Sequence, residues 1–295
     1  GLLHGDVSEL ISEAARKPER MKDRDRPHYQ IVNGYRIPGP FSEQVYLSGL
    51  TYKPLPTDIV LNTFPKCGTH WVLDIIKAVY QQCRQVTPGS AFLEKLGLEG
   101  IEAADHPRIV RTHLPYSLTP HSESTKYIYV TRNPKDCCVS FYHHTRNLGY
   151  DFKDGIFDEY FEIFVEGLTD FGSYYESLTA WYAHRNDPNV LFLTYESIHA
   201  DVPGSVLKIA QYLGEDMAQS LKADGKKMKK VLEAIAFDKM KKDLPIQFVR
   251  KGVVGDWRNH FSEEQSRRLE ERFFEEVKGT DIPLLWKDVD WLLKK

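Results

Sequence analysis

The stretch Ile59-Val60-Leu61-Asn62-Thr63-Phe64-Pro65-Lys66-Cys67-Gly68-Thr69-His70-Trp71 decides how this chain is read. Its first residues form an apolar run. Beyond it, Val72, Ile75, Ile76, Val79 and Tyr80 recur at i, i+3, i+4, i+7 and i+8, the spacing of one helix face. The pattern predicts a strand, a tight turn and a helix start. The turn carries a lysine and a glycine just ahead of the helix. Free N–H groups at a helix N-terminus, a glycine that lets backbone approach closely and a lysine charge together make an anion site, most often for phosphate. A nucleotide-like ligand is the expectation, and a plain surface turn is the alternative.

The turn does not match the P-loop pattern G-x-x-x-x-G-K-[ST]. No glycine opens it, and Lys66 precedes Gly68 instead of following it. A nucleoside-triphosphate hydrolase also wants a carboxylate for magnesium at a second strand end. The candidate second strand, Tyr127-Ile128-Tyr129-Val130, ends in Thr131-Arg132-Asn133-Pro134 and delivers a cation there. A phosphorylated ligand with no metal is the expectation.

At 295 residues, with no Gly/Ser-rich linker, repeat or low-complexity block, one α/β domain over 1–295 is the simplest organisation. The formal net charge of −3 argues against general nucleic-acid binding, which favours a basic chain. Four cysteines are too few for a disulfide scaffold, and C-x-x-C metal spacing is absent, so reduced thiols in a cytoplasmic protein are expected. Neither a signal peptide nor an apolar run long enough to span a membrane is visible.

Residues 1–50 are charged, then rich in Pro and Gly, and predict a helix plus an extended arm packed on the domain. A strand near 58–63 and a helix over about 69–83 follow, then a looser region to about 106. Arg108–Thr112, Lys126–Thr131 and Val190–Tyr195 predict further strands. Asn133 is placed as an N-cap with Pro134 as the first helical residue and Asp136 in the first turn. Helical patterns lie near 158–167, 172–185, 203–213 and 226–241, and Ser262-Glu263-Glu264-Gln265 fits a capping box. Strands alternating with helices predict a mostly parallel sheet flanked by helices, with ligands at the carboxyl ends of its strands. His113, Arg132 and the Lys66 loop all fall at such ends.

Two further segments carry anion chemistry. Arg132 and, eight residues on, Ser140 offer a guanidinium and a hydroxyl to phosphate. Arg250-Lys251-Gly252 pairs two cations with a glycine, although alone it reads more readily as a solvated charge pair. His113 stands out among eleven histidines by its place between Thr112 and Leu114-Pro115.

With these residues in view, the chain resembles the cytosolic sulfotransferases. The matching segments are Thr63–Trp71, Arg111-Thr112-His113-Leu114-Pro115, Tyr129-Val130-Thr131-Arg132-Asn133-Pro134-Lys135-Asp136 with Val139-Ser140, and Arg250-Lys251-Gly252-Val253-Val254-Gly255-Asp256-Trp257. They come in the family's order and span most of the chain. The resemblance implies 3′-phosphoadenosine 5′-phosphosulfate (PAPS) as donor, 3′,5′-adenosine bisphosphate (PAP) as product, and no metal. It implies that Lys66, Cys67, Gly68, Thr69, His70 and Trp71 hold the phosphosulfate, and that Arg132, Ser140, Arg250, Lys251 and Gly252 hold the 3′-phosphate. Tyr195 and Phe237 match positions near the adenine. His113 matches the catalytic base, and Lys66 faces the bond that breaks.

The chemistry agrees with that match. A histidine that is neutral near pH 7 can take the proton of a phenol as the phenol attacks sulfur. A lysine can meet the charge that develops on the leaving oxygen. The acceptor is expected to be a small phenol or a catecholamine-like amine, held among Phe41, Phe141, Tyr142, His144 and Phe248; a steroid or other alcohol is the alternative. Where relatives have a small Ser or Ala and a Thr, this loop has Cys67 and His70, and Ile235 stands where many have an adenine-contacting Thr. The family's dimer motif would fall near Arg258–Arg267 and is not matched, which leaves a homodimer in doubt.

Three rival readings differ in specific features. Carbohydrate sulfotransferases of the same fold carry a membrane anchor, and none is seen here. A kinase needs the magnesium carboxylate and the standard lysine placement. A non-catalytic nucleotide-binding or small-molecule-binding protein has no need of both Lys66 and His113.

Overall fold

The computed structural model describes residues 26–148, 151–236 and 254–294. In chain order the elements are β1 (Tyr29–Val32), β2 (Tyr35–Pro38), α1 (Glu43–Gly49), β3 (Ile59–Thr63), α2 (Thr69–Arg84), β4 (Gly89–Phe92), α3 (Leu93–Ala103), β5 (Arg108–Thr112), β6 (Lys126–Thr131) and α4 (Pro134–Leu148). They continue with α5 (Phe157–Val165), α6 (Tyr174–Tyr182), β7 (Val190–Thr194), α7 (Tyr195–Ala200), α8 (Val202–Leu213), α9 (Glu215–Ala223), α10 (Gly225–Ala234) and α11 (Glu263–Glu276).

Five strands form one parallel sheet in the order β4-β5-β3-β6-β7, so the expected α/β architecture is the one observed. Thr63 pairs with Val130 and Asn62 with Thr112, which brings the ends of β3, β5 and β6 level. The chain places β4 and β5 on one side of β3 and β6 and β7 on the other. The crevice at that reversal is where open α/β sheets bind ligands. Every residue of β3 is buried, as a parallel strand covered on both faces requires. Val72, Ile75, Ile76 and Val79 of α2 are fully buried against Ile59, Leu61, Ile109, Ile128 and Val130. Each such side chain contributes roughly 1.5–3 kcal/mol.

The chain forms two compact units. One holds the sheet, with residues 44–132 and 180–236. The other comprises residues 26–43, 133–179 and 254–294. In the second unit Asn133 caps α4 as expected, its Oδ1 accepting the Asp136 N–H at 3.0 Å. The Asp136 carboxylate accepts the N–H groups of Gly255 (2.8 Å) and Trp257 (3.1 Å) and the Asn133 amide (2.8 Å). Lys135, fully buried, donates to Glu270 at 2.9 Å and lies over the Trp257 ring. The Asn133–Asp136 and Gly255–Trp257 motifs therefore belong together for a packing reason. The capping box of Ser262 and Gln265 opens α11.

Three expectations need correction. The stretch to about 106 is not loose: it holds edge strand β4 and helix α3. The sheet's last strand stops at Thr194, because the Thr194 hydroxyl caps α7 and Tyr195 is already helical. The extended arm is a hairpin, β1–β2, followed by α1. Residues 1–25 of that segment lie outside the described residues.

Candidate active site

The turn after β3 bends by two left-handed residues, Lys66 (φ 68°) and Gly68 (φ 103°). Gly68 is the N-cap of α2, and its carbonyl accepts the first helical bond from Val72 at 3.0 Å. The N–H groups of Thr69, His70 and Trp71 open the helix and have no acceptor within it. A side chain at Gly68 would meet the Tyr195 ring at 3.2 Å as well as the strain of its φ. Cys67 is fully buried, its Sγ 3.8 Å from the Pro65 carbonyl.

The sheet brings Arg132 and Tyr195 to this turn. Arg132 Nη1 donates to the Lys66 carbonyl at 3.1 Å, and its guanidinium lies 4.1 Å over the Tyr195 ring. Trp71 meets Tyr195 edge-on, with centroids 5.4 Å apart. Two cations, three helix-opening N–H groups and two flat rings thus share one corner of the sheet unit. That donor set fits a nucleotide anion with an aromatic base.

His113 follows β5 on the neighbouring strand. Its Nδ1 lies 2.7 Å from the Thr63 carbonyl oxygen, which can only accept, so Nδ1 carries the hydrogen and Nε2 the lone pair. The Thr63 hydroxyl sits 2.6 Å from that of Thr69 and 3.3 Å from His113 Nδ1, joining the histidine to the helix start. Asn62 donates to the Leu114 carbonyl at 2.8 Å and holds the chain just beyond. Burial drives the His113 imidazole down to about 3, with Arg111, His70 and Lys66 adding repulsion and the Thr63 carbonyl opposing. Burial likewise brings His70 to about 4, with Arg111, Lys66 and Lys77 contributing. Both rings are neutral at pH 7.

Three residues beside His113 were missed in the sequence. Phe92, at the end of β4, packs its ring edge-on at 5.3 Å from the imidazole. Glu94 accepts the His113 N–H at 2.8 Å. Arg111 lies over the Phe92 ring, its Nε buried without a hydrogen bond among the described residues. Arg111 stands in a matched motif, where its place in a strand pattern gives it no site role of its own. Phe92 and Glu94 had one signal, the short apolar run Ala91-Phe92-Leu93 ending in a carboxylate.

Phe41, Ser140, Phe141, Tyr142 and His144 belong to the other unit. Phe41 meets Phe171 edge-on. Ser140 is half-buried on α4. Phe141 packs on Tyr160 and His144, and Tyr142 is buried among Phe152, Phe157 and Tyr160, its hydroxyl donating to the Gly155 carbonyl. Phe237, Phe248, Arg250, Lys251 and Gly252 lie outside the described residues. Among the described residues no cluster of His, Cys, Asp and Glu is placed to hold a metal ion, and no helix is long and apolar enough to cross a membrane.

Comparison with known proteins agrees with this geometry. The sulfotransferase domain model matches residues 56–281. Rabbit sulfotransferase 1C2 is 33% identical over 263 residues, covering 79% of this chain and 87% of that protein. The structure of mouse sulfotransferase SULT7A1 complexed with PAP superposes with a TM-score of 0.76 at 27% identity, over 89% of this chain and 99% of that one. Retinol dehydratase, in a complex with retinol and PAP, superposes with a TM-score of 0.67 at 25% identity, over 95% and 96% of the two chains. The chain belongs to the sulfotransferase family, and it is an enzyme of sulfuryl transfer.

Proposed function

We propose that this sulfotransferase takes the sulfuryl group of PAPS to the hydroxyl of a small acceptor, a phenol or a catecholamine-like amine, with His113 as base. The donor supplies the sulfuryl group and departs as PAP. The observation that carries the reading is the His113 Nδ1 hydrogen bond to Thr63, which leaves Nε2 as the proton acceptor beside the Lys66 turn. His113 is neutral at pH 7, so it takes the acceptor's proton as the oxygen attacks sulfur. Lys66 and the N–H groups of Thr69, His70 and Trp71 meet the anionic phosphosulfate. Lys66 also stabilises the charge that grows on the leaving oxygen. Sulfuryl carries less charge than phosphoryl, which suits side chains and N–H groups working without a metal.

Trp71 and Tyr195 offer their faces to the adenine. By sequence match, Arg132, Ser140, Arg250, Lys251 and Gly252 take the 3′-phosphate and Phe237 joins the adenine site. The family model runs through both units, which supports one sulfotransferase domain over 1–295 in a cytoplasmic protein. An alcohol acceptor is the second reading, supported by the retinol in the retinol dehydratase complex.

The test is a transfer assay with labelled PAPS and a panel of phenols, amines and sterols. Labelled product is expected with wild type, and His113→Ala is expected to lose on the order of 10²-fold or more in turnover while still binding PAP. Undiminished turnover in the mutant overturns the base. PAP binding with no product from any acceptor favours a sequestering protein.

A further inference from the structure

Glu94 is a carboxyl group with no exposure to solvent, in the first turn of α3. It touches neither ring nitrogen of His113; it reaches the histidine through the main chain. Oε2 accepts the His113 N–H at 2.8 Å, while Oε1 is buried without a hydrogen-bond partner among the described residues. A buried carboxylate oxygen left open costs more than a satisfied one, so its retention calls for a reason.

The helix that carries it is itself fixed. Gly97 of α3 takes a left-handed φ of 64°, where a side chain would collide with Ser48 and the Val45 carbonyl of α1. The Ser48 hydroxyl accepts the Leu98 N–H at 3.1 Å. Glu94 therefore joins a braced helix start to the residue that ends β5.

Resting on the reading of His113 as base, we propose that Glu94 is a positioning residue for transfer: its carboxylate fixes the His113 main chain and supplies the negative charge that the buried imidazole needs once it has taken the acceptor's proton. The charges around His113 make that need plain. The charges of Arg111 and Lys66 disfavour an imidazolium, and burial disfavours it further. The Thr63 carbonyl, a dipole, opposes only part of this. An anion on the histidine's own N–H restores proton affinity where it is used.

The groups that act electrostatically on Glu94, or are acted on by it, are Tyr46 of α1, and Arg111, Thr112 and His113 of β5 and its end. Tyr46 is held above its ordinary range by burial and then by Glu94 itself, and stays neutral. Arg111 stays charged. Burial raises Glu94 to about 7, against the hydroxyl of Thr112, the N–H groups of His113 and of Glu94, and the charge of Arg111. Glu94 is thus the group that titrates near neutrality here, while His113 titrates far below.

The sign follows. Transfer uses ionised Glu94, so turnover rises with pH through about 7 and levels off above. The experiment is kcat and KM against pH for the full-length enzyme, with two phenols of different acidity. An inflection belonging to Glu94 stays put when the acceptor changes; one belonging to the phenol moves with it.

In Glu94→Gln, which keeps an oxygen acceptor and loses the charge, kcat is expected to fall about 10-fold at pH 8, with the donor KM unchanged and the fixed inflection gone. Glu94→Asp is expected to keep that inflection. Wild-type kcat and an unchanged profile in Glu94→Gln overturn the proposal. So does a wild type with no acceptor-independent inflection near neutrality, whether or not the variants fold. If His113→Ala keeps full turnover, the base assignment fails instead, and the two failures are distinguishable.

Discussion

The two ends of the sheet treat buried charge in opposite ways. At the amino end Asp58, just before β3, meets Arg108 at the start of β5. The guanidinium donates to both carboxylate oxygens at 2.9 and 3.2 Å, and the Leu55 N–H and Tyr52 hydroxyl complete the set. At the carboxyl end lie two left-handed residues, two histidines that burial holds below their ordinary range, and a glutamate with one oxygen left without a hydrogen bond among the described residues. One end is satisfied and the other is held open. Local rules are broken at the end where the proposed site lies and kept at the other, the division expected when one end serves a ligand and the other folding alone.

The largest effect should come from the satisfied end. Asp58→Asn leaves Arg108 buried without its counter-ion, which costs about 3–5 kcal/mol. Denaturant unfolding should show that loss, while kcat of the folded fraction stays at the wild-type value. A loss of kcat with stability intact would mean that the amino end also serves the reaction, and the contrast between the ends would fail.

The open end should show the converse. Lys66→Met is expected to lower kcat on the order of 10²-fold if, as proposed, the charge it removes acts on the oxygen that leaves. Stability should change by less than about 0.5 kcal/mol, because Lys66 is only half-buried. Unfolding curves and single-turnover rates on one preparation check both halves. A mutant that is destabilised but catalytically normal would assign Lys66 to the turn alone.

How much of this was legible follows the same division. The core strands announced themselves as apolar runs because β3 and β6 are covered on both faces. Lys66, Gly68, His113 and Arg132 were legible because the carboxyl end of a parallel sheet collects loop residues. Edge strand β4 was not, because Gly89-Ser90-Ala91-Phe92 is short and mostly small, and a one-sided strand of four residues leaves no period to read. Glu94 was hidden with it, since its partner is a backbone N–H nineteen residues away, and no side-chain pattern marks such a bond. Phe141 and Tyr142 carry a weaker signal. Their aromatic character suggested a pocket, yet in their own unit both are packed into core.

Cys67 gives the smallest effect and the sharpest probe of the loop. A thiol beside Lys66 at a helix start invites the idea of a reactive thiolate. Its full burial argues otherwise: the side chain is enclosed, with its sulfur 3.8 Å from the Pro65 carbonyl oxygen. Cys67→Ser replaces sulfur by a better donor to the same carbonyl, so stability should shift by about 1 kcal/mol or less and turnover by less than about 2-fold. Thiol reagents should reach Cys83 first. It is half-buried on α2, and although burial raises its pKa, the residue is less enclosed than Cys67, Cys137 and Cys138. Mass spectrometry of protein labelled under native conditions should find Cys83 modified well before Cys67, and Cys67 only as fast as the chain opens. Prompt labelling of Cys67 in folded protein would mean that the turn opens on its own. The strain at Lys66 and Gly68 would then belong to a moving loop rather than to a cradle set in advance for an anion.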